Sequence, residues 1–141
     1  MYLTLEHALA ILAAARKRAA ELGRTPLAYA IVDAGGRVIV QAREDGQGFG
    51  RGTIAVAKAS GSIALGLSGA KLAKAADGYE NWFTGISGAL EGQIVPTPGG
   101  VLIRCSNGHV IGAVGIAGAP SQDDEDIAVT AISAVGLTPD S

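Results

Sequence analysis

Residues 99–118 read GGVLIRCSNGHVIGAVGIAG, and the rest of the chain is arranged around this stretch. Asn107-Gly108 at its middle is the dipeptide best suited to a two-residue type I′ hairpin turn, because both central residues take φ > 0. Counting outward pairs Ser106 with His109, Cys105 with Val110, Arg104 with Ile111, Ile103 with Gly112 and Val101 with Val114. Val101, Ile103, Cys105, Val110 and Val114 then share one face of the ladder. The second strand, Val110 to Ile116, is apolar or glycine on both faces, which predicts a strand covered on both sides. Gly112, Gly115 and Gly118 are poor strand formers, so another element must approach the backbone closely there.

Composition narrows the class. The chain has 141 residues, and residues 1–141 suit a single domain with one core. With 48% hydrophobic and 17% charged residues, polar side chains are too few to cover the molecule, and burial between copies in a homo-oligomer is expected. A net charge of −2, with no basic cluster beyond Arg16-Lys17-Arg18, argues against nucleic acid as a partner. The lone Cys105 excludes an internal disulfide and a multi-cysteine metal site, and reads as a core residue. The first residues, MYLTLEH, lack a signal-peptide pattern, and the uncharged span from Cys105 to Gln122 is too rich in glycine to cross a bilayer. A cytoplasmic protein with no membrane partner is expected.

Thr4 can cap a helix from about Leu5 to Leu22, with Gly23 as its natural stop. Leu5, Ala8, Leu9, Leu12, Ala15, Ala19 and Leu22 form its expected inward stripe. His7 in the first turn is either an exposed histidine or a metal ligand, since neutral imidazole is the commonest such donor. Leu27–Asp33 and Arg37–Arg43 read as two strands joined by Asp33-Ala34-Gly35-Gly36, where Asp33 caps the turn. The loop Glu44 to Gly52 alternates glycine with polar groups. It is either a flexible connection or a place where backbone approaches a ligand, and it lacks the ending of a phosphate-binding Walker loop.

Thr53 can cap a small-residue helix from Ile54 to Leu65, whose one charge, Lys58, either snorkels or faces an acidic ligand. A short helix over Ser68–Ala76 leads into Asp77-Gly78-Tyr79-Glu80-Asn81-Trp82-Phe83. This aromatic group is either a satellite hydrophobic cluster or the wall of a pocket. Thr84–Leu90 reads as a further short helix, and Val95-Pro96-Thr97-Pro98 as extended chain. Ser121 is the expected N-cap of the last helix, with Asp124 completing a capping box and the acidic run complementing the helix dipole. Gly136 and Pro139 stop it, and His109 beside the hairpin turn is expected to be exposed. Antiparallel strand pairs with helices before, between and after them give an α+β layer fold.

Several segments, in order, resemble a known family: Val32-Asp33-Ala34-Gly35-Gly36, Arg43-Glu44-Asp45-Gly46, Ala55-Val56-Ala57-Lys58-Ala59, Gly99-Gly100-Val101-Leu102-Ile103, and Val110 to Gly118 followed by Gln122-Asp123-Asp124-Glu125. Together they are similar to the GlcG/HbpS family, also called the haem-degrading or DUF336 family, which includes the C-terminal domain of the PduO type. The resemblance implies a profilin-like fold, a five-stranded antiparallel sheet flanked by helices, in a homo-oligomer of dimers or larger. It also implies, for some members, binding or degradation of haem.

Two expectations of function follow, and a third stands beside them. The first is a small-ligand-binding protein taking haem or a related tetrapyrrole. Its site would lie between the Gly46–Arg51 loop, the following helix start, the Trp82-Phe83 pair and the Pro98-Gly99-Gly100 turn. Arg51 and Lys58 would neutralise ligand carboxylates, Trp82 and Phe83 would cover an apolar face, and His7 would hold the iron. The second is a cofactor-free isomerase, hydratase or lyase acting on a small carboxylated metabolite, with Lys58 as base or anchor and Tyr79, Asp45 or Glu80 as acid–base partners. The third is a structural subunit without ligand.

Overall fold

The computed structural model describes residues 1–141. Helix α1 spans Leu5–Glu21, strands β1 and β2 span Ala28–Asp33 and Val38–Arg43, and helices α2, α3 and α4 span Phe49–Leu65, Gly69–Ala76 and Glu80–Ala89. Strands β3 and β4 follow at Gly100–Arg104 and Val110–Ala117, then α5 at Ser121–Ala134 and β5 at Thr138–Asp140. The strands form one antiparallel sheet in the order β2-β1-β4-β3-β5. This is the expected α+β architecture with a five-stranded antiparallel sheet flanked by helices. The short β5, paired with β3, has no signature of its own in the sequence, because Pro139 sits in it and can be tolerated only at an edge.

Side-chain alternation sorts the sheet into two faces. Tyr29, Ile31, Val101, Ile103, Val114 and Ile116 meet α1 and α5 in the main core, alongside Ile11, Ile127 and Ile132. Ala28, Ala30, Val32, Leu102, Ala113 and Ala117 meet Ala55 and Ala59 of α2 on the other face. Strand β4 is therefore buried on both sides, as its glycine-studded apolar sequence requires.

The glycines explain how close α2 comes. Gly100 and Gly115 are direct partners across β3 and β4. A Cβ on Gly115 would overlap the Ala55 carbonyl oxygen, and one on Gly100 would lie 2.6 Å from the Lys58 carbonyl oxygen. Two facing glycines thus open a trough in the sheet in which the α2 backbone rests.

The hairpin differs from the expected two-residue turn. Cys105 C=O accepts from Gly108 N–H at 2.9 Å, and Cys105 N–H donates to His109 C=O at 3.0 Å. Gly108 has φ 84°, whereas Asn107 keeps a negative φ. The loop is thus three residues long and closes through a left-handed glycine, the alternative that Asn-Gly also serves. The Asn107 side chain accepts from His109 N–H at 3.2 Å. The register from Gly100 to Ile103 is as expected, but a bulge pairs Arg104 with Val110 instead of Ile111. Ile111 therefore joins the main core and Val110 turns to the α2 face, reversing the expected placement of Val110.

Four helix boundaries or faces also differ. In α1, Ile11 replaces Leu5 and Leu9 on the buried stripe, and those two leucines are exposed. Helix α2 begins at Phe49 with Gly48 as N-cap, so Thr53 is internal. Helix α4 takes in Trp82 and Phe83, buries no residue, and packs only against α3. Helix α5 has Pro120 as N-cap with no side-chain cap, so Ser121 does not close a capping box.

Candidate functional site

Lys58 lies on the face of α2 turned toward the sheet, and its chain runs to the junction of three segments. Its ammonium donates to Ile116 C=O at 2.8 Å, to Asp124 Oδ2 at 3.1 Å and to Pro98 C=O at 3.2 Å. An ammonium has three N–H bonds, so all of its donors are engaged. Asp124 Oδ1 accepts from Ala119 N–H at 3.2 Å. Both side chains are nearly sealed from water, at 5% and 2% exposure. Burial pushes the Asp124 carboxyl up from the ordinary range, while the Lys58 ammonium, the Ala119 amide and the more distant Arg51 pull it back.

Gly99 shapes this junction. Its φ of 116° is open to glycine, and a Cβ there would lie 2.9 Å from both the Asp124 Cβ and the Lys58 Nζ. Lys58, Pro98, Gly99 and Gly100 are thus brought together as expected, but as a packed joint with no cavity. Sequence reasoning passed over Asp124 as a helix-dipole residue, because nothing in the run Asp123-Asp124-Glu125-Asp126 marks which carboxylate turns inward.

The remaining expected residues lie on separate surfaces. Arg51 is exposed on the first turn of α2, without an ion-pair partner, beside a shallow recess of 410 Å³ lined by Gln47, Gly48, Gly50 and Ile54. Trp82 and Phe83 sit on α4, with α3 between them and the Thr97–Gly100 segment. Tyr79 and Glu80 are exposed at the start of α4. Asp45 is on another surface, in a 470 Å³ recess with Leu12, Arg16, Pro26, Arg43 and Glu44. Glu44 itself is a structural acceptor, taking Leu27 N–H and Tyr29 O–H at 2.8 Å each. Burial and that bond push the Tyr29 phenol well above its usual value.

His7 is the third residue of α1 and completes a capping box with Thr4. Thr4 Oγ1 accepts from His7 N–H at 3.1 Å, and His7 Nδ1 accepts from Thr4 N–H at 3.4 Å. Thr4 Oγ1 also lies 3.0 Å from His7 Nδ1, a contact in which either the hydroxyl or the ring can donate. These contacts engage Nδ1 and the backbone and leave Nε2 outside the cap. No cluster of three or more His, Cys, Asp or Glu side chains is placed to hold a metal ion.

The largest cavity, 650 Å³, lies at the other end of β4 from the Lys58 junction. Residues 1–5 form one wall, the β1–β2 turn with Ile39 a second, and His109, Val110 and Ile111 a third. Eight of its twelve lining residues are hydrophobic, a makeup that suits an apolar ligand held by a few polar groups.

The sheet with α1 and α5 on one face and α2 on the other defines an α+β protein of the profilin-like class. The chain belongs to the HbpS-like family, whose model, described as haem degrading protein HbpS-like, matches residues 3–133. Among solved structures it is similar to a PduOC–haem complex, at 28% identity and TM-score 0.87 over 100% of both chains. It is similar to protein ORFY of Klebsiella pneumoniae, a DUF336 protein, at 26% identity and TM-score 0.83 over 94% of this chain and 90% of that one. A double mutant of HbpS from Streptomyces reticuli aligns at 27% identity and TM-score 0.78 over 95% and 87%. No curated protein matches the chain. No single helix is long and apolar enough to cross a membrane.

Proposed function

We propose that this protein binds a small, flat, amphipathic ligand of the haem or tetrapyrrole class. The observation that carries this reading is the end-to-end similarity to a chain crystallised as a haem complex, within a family described as haem-degrading. Two open surfaces of this chain could take such a ligand. The recess beside Arg51 offers an unpaired cation to a carboxylate, but it is shallow and has a single hydrophobic wall residue. The cleft at residues 1–5 is larger and mostly apolar, and it suits the ring of a tetrapyrrole better. Lys58 acts in this reading as a structural cation, since a ligand carboxylate would have to displace Asp124 or a backbone carbonyl to reach it.

The test is a titration of the purified protein with haemin at micromolar concentration, followed by absorbance. A saturable Soret band shifted from that of free haemin, at a fixed stoichiometry, is the expected result. A spectrum that stays the sum of protein and free haemin overturns the reading.

A further inference from the structure

We infer that β2 pairs edge to edge with β2 of a second copy of this chain, antiparallel and across a two-fold axis at Gln41. The sheet has two edges, and they are not alike. The β5 edge is three residues long and carries Pro139, which blunts it against further pairing. Strand β2 runs six residues, Val38–Arg43, without proline, and none of them is buried. Its ladder partner is β1 alone. The direction of its free groups follows from one bond. Glu44 N–H donates to Leu27 C=O at 2.9 Å, so in an antiparallel ladder Ala42 and Val40 also aim their backbone groups at β1. Gln41 and Arg43 aim theirs outward. The bulge in this pair lies toward Val38 and leaves the ladder from Val40 to Arg43 regular.

Apolar side chains border this edge on both faces of the sheet. On one face, Leu5, Leu9 and Leu12 recur at helical spacing along α1. Leu5 shares a cavity with Ile39 and Leu12 shares a recess with Ala42, so Leu9, 44% exposed, lies between them beside the strand. On the other face, a Cβ on Gly52 of α2 would stand 3.2 Å from Gln41 Nε2, and Val56 lines a recess with Val38. Phe49, one turn before Gly52, is 83% exposed. A ladder this short is too small an interface alone, and these side chains supply apolar area around it. The charges name a second copy as the occupant. Arg37 precedes the strand and Asp45 follows it; both are exposed, and neither has an ion-pair partner within the chain. Antiparallel pairing about Gln41, midway between them, turns the outward groups of the two Gln41 residues to each other and sets Arg37 of each copy against the partner's Asp45. A strand with a cation at its start and an anion at its end complements its own reverse.

The experiment measures mass against protein concentration by sedimentation equilibrium, without added ligand, with every variant checked for folding by circular dichroism. An isologous contact builds even-numbered assemblies, so the wild type is expected as a dimer or a multiple of it. Leu9→Glu changes an exposed side chain, and Gln41→Pro removes an N–H that β1 does not use. Each is expected to weaken association at least about tenfold. Leu9→Glu carries the test if Gln41→Pro fails to fold. Arg37→Asp and Asp45→Arg each weaken association, and the two together restore it, because the charges then meet in reverse order. Damage to the fold by either change would not be repaired in that way. Trp82→Glu, on the exposed helix α4, leaves association unchanged. A monomeric or odd-numbered wild type overturns the proposal. An assembly that Leu9→Glu leaves intact, or that Trp82→Glu reduces to monomers, also overturns it. Single charge variants that associate like the wild type, or a double variant without rescue, overturn the register at Gln41.

Discussion

The Lys58 ammonium lies 3.1 Å from the Asp124 carboxylate, with both groups buried where α2, the Pro98-Gly99 turn, the end of β4 and the start of α5 meet. The pair ties together segments far apart in the chain. Removing one partner leaves a buried charge without compensation, which costs about 3–5 kcal/mol. Lys58→Met is therefore expected to lower the unfolding midpoint in urea severely. Lys58→Met with Asp124→Leu is expected to recover part of the loss, since Ala119 N–H still loses its acceptor. A double-mutant cycle checks this, and additive effects would deny the coupling.

The glycines of β4 make a second, graded prediction. Gly115→Ala forces a Cβ against the Ala55 backbone carbonyl, which cannot move without lifting α2 off the sheet. Overpacking of this kind costs about 1–3 kcal/mol or more. Gly85→Ala, in a helix where a Cβ meets nothing within 4 Å, is expected to stabilise by about 0.5–1 kcal/mol. Thermal unfolding of the two variants reads the opposite signs directly.

The capping box at the start of α1 separates its two residues. Thr4→Ala removes the acceptor for His7 N–H and is expected to cost about 1 kcal/mol, the usual value for a lost N-cap. His7→Ala removes the ring contacts, 3.4 Å to Thr4 N–H and 3.0 Å to Thr4 Oγ1, but keeps the backbone N–H that Thr4 caps, and should cost less. Equal losses in the two variants would place a further demand on the His7 ring.

Acid stability follows from carboxylates of opposite sign. The Arg18 hydrogen bond holds Asp126 below its ordinary value, and the Lys71 hydrogen bond holds Asp140 below it. For these two the unfolded chain takes up protons first, so the stability they confer is present above the ordinary carboxylate value of 3.8 and is lost as pH falls through their lowered folded values. Asp124 is raised by burial, so its own contribution runs the other way, improving as pH falls through its raised value. Asp126→Asn and Asp140→Asn are expected to flatten the acid limb of the urea-midpoint profile. A limb as steep as that of the wild type would assign acid unfolding elsewhere.

The sheet was legible in the sequence wherever burial writes a pattern. The apolar, glycine-rich run from Val110 to Ile116 announced a strand covered on both faces, and Asp33-Ala34-Gly35-Gly36 announced its turn. The bulge at Arg104 was not legible, because Asn107-Gly108 supports both a two-residue and a three-residue loop. The early start of α2 was hidden by Gly48, Gly50 and Gly52, whose weak helix propensity is overridden by packing on the sheet. The site was less legible than the fold. Lys58 and the Pro98–Gly100 turn do come together, but their partner Asp124 is one acid among four neighbours. Trp82 and Phe83 resemble a pocket wall in sequence and lie on a helix that buries nothing. The largest cleft is assembled from three segments that share no motif, and no spacing rule could have found it.

The most direct measurement is a crystal structure of the protein grown with haemin. The account predicts porphyrin density in the cleft lined by Leu5, Ile39 and Val110. Porphyrin density at Arg51 or against Trp82, with that cleft unfilled, would contradict it.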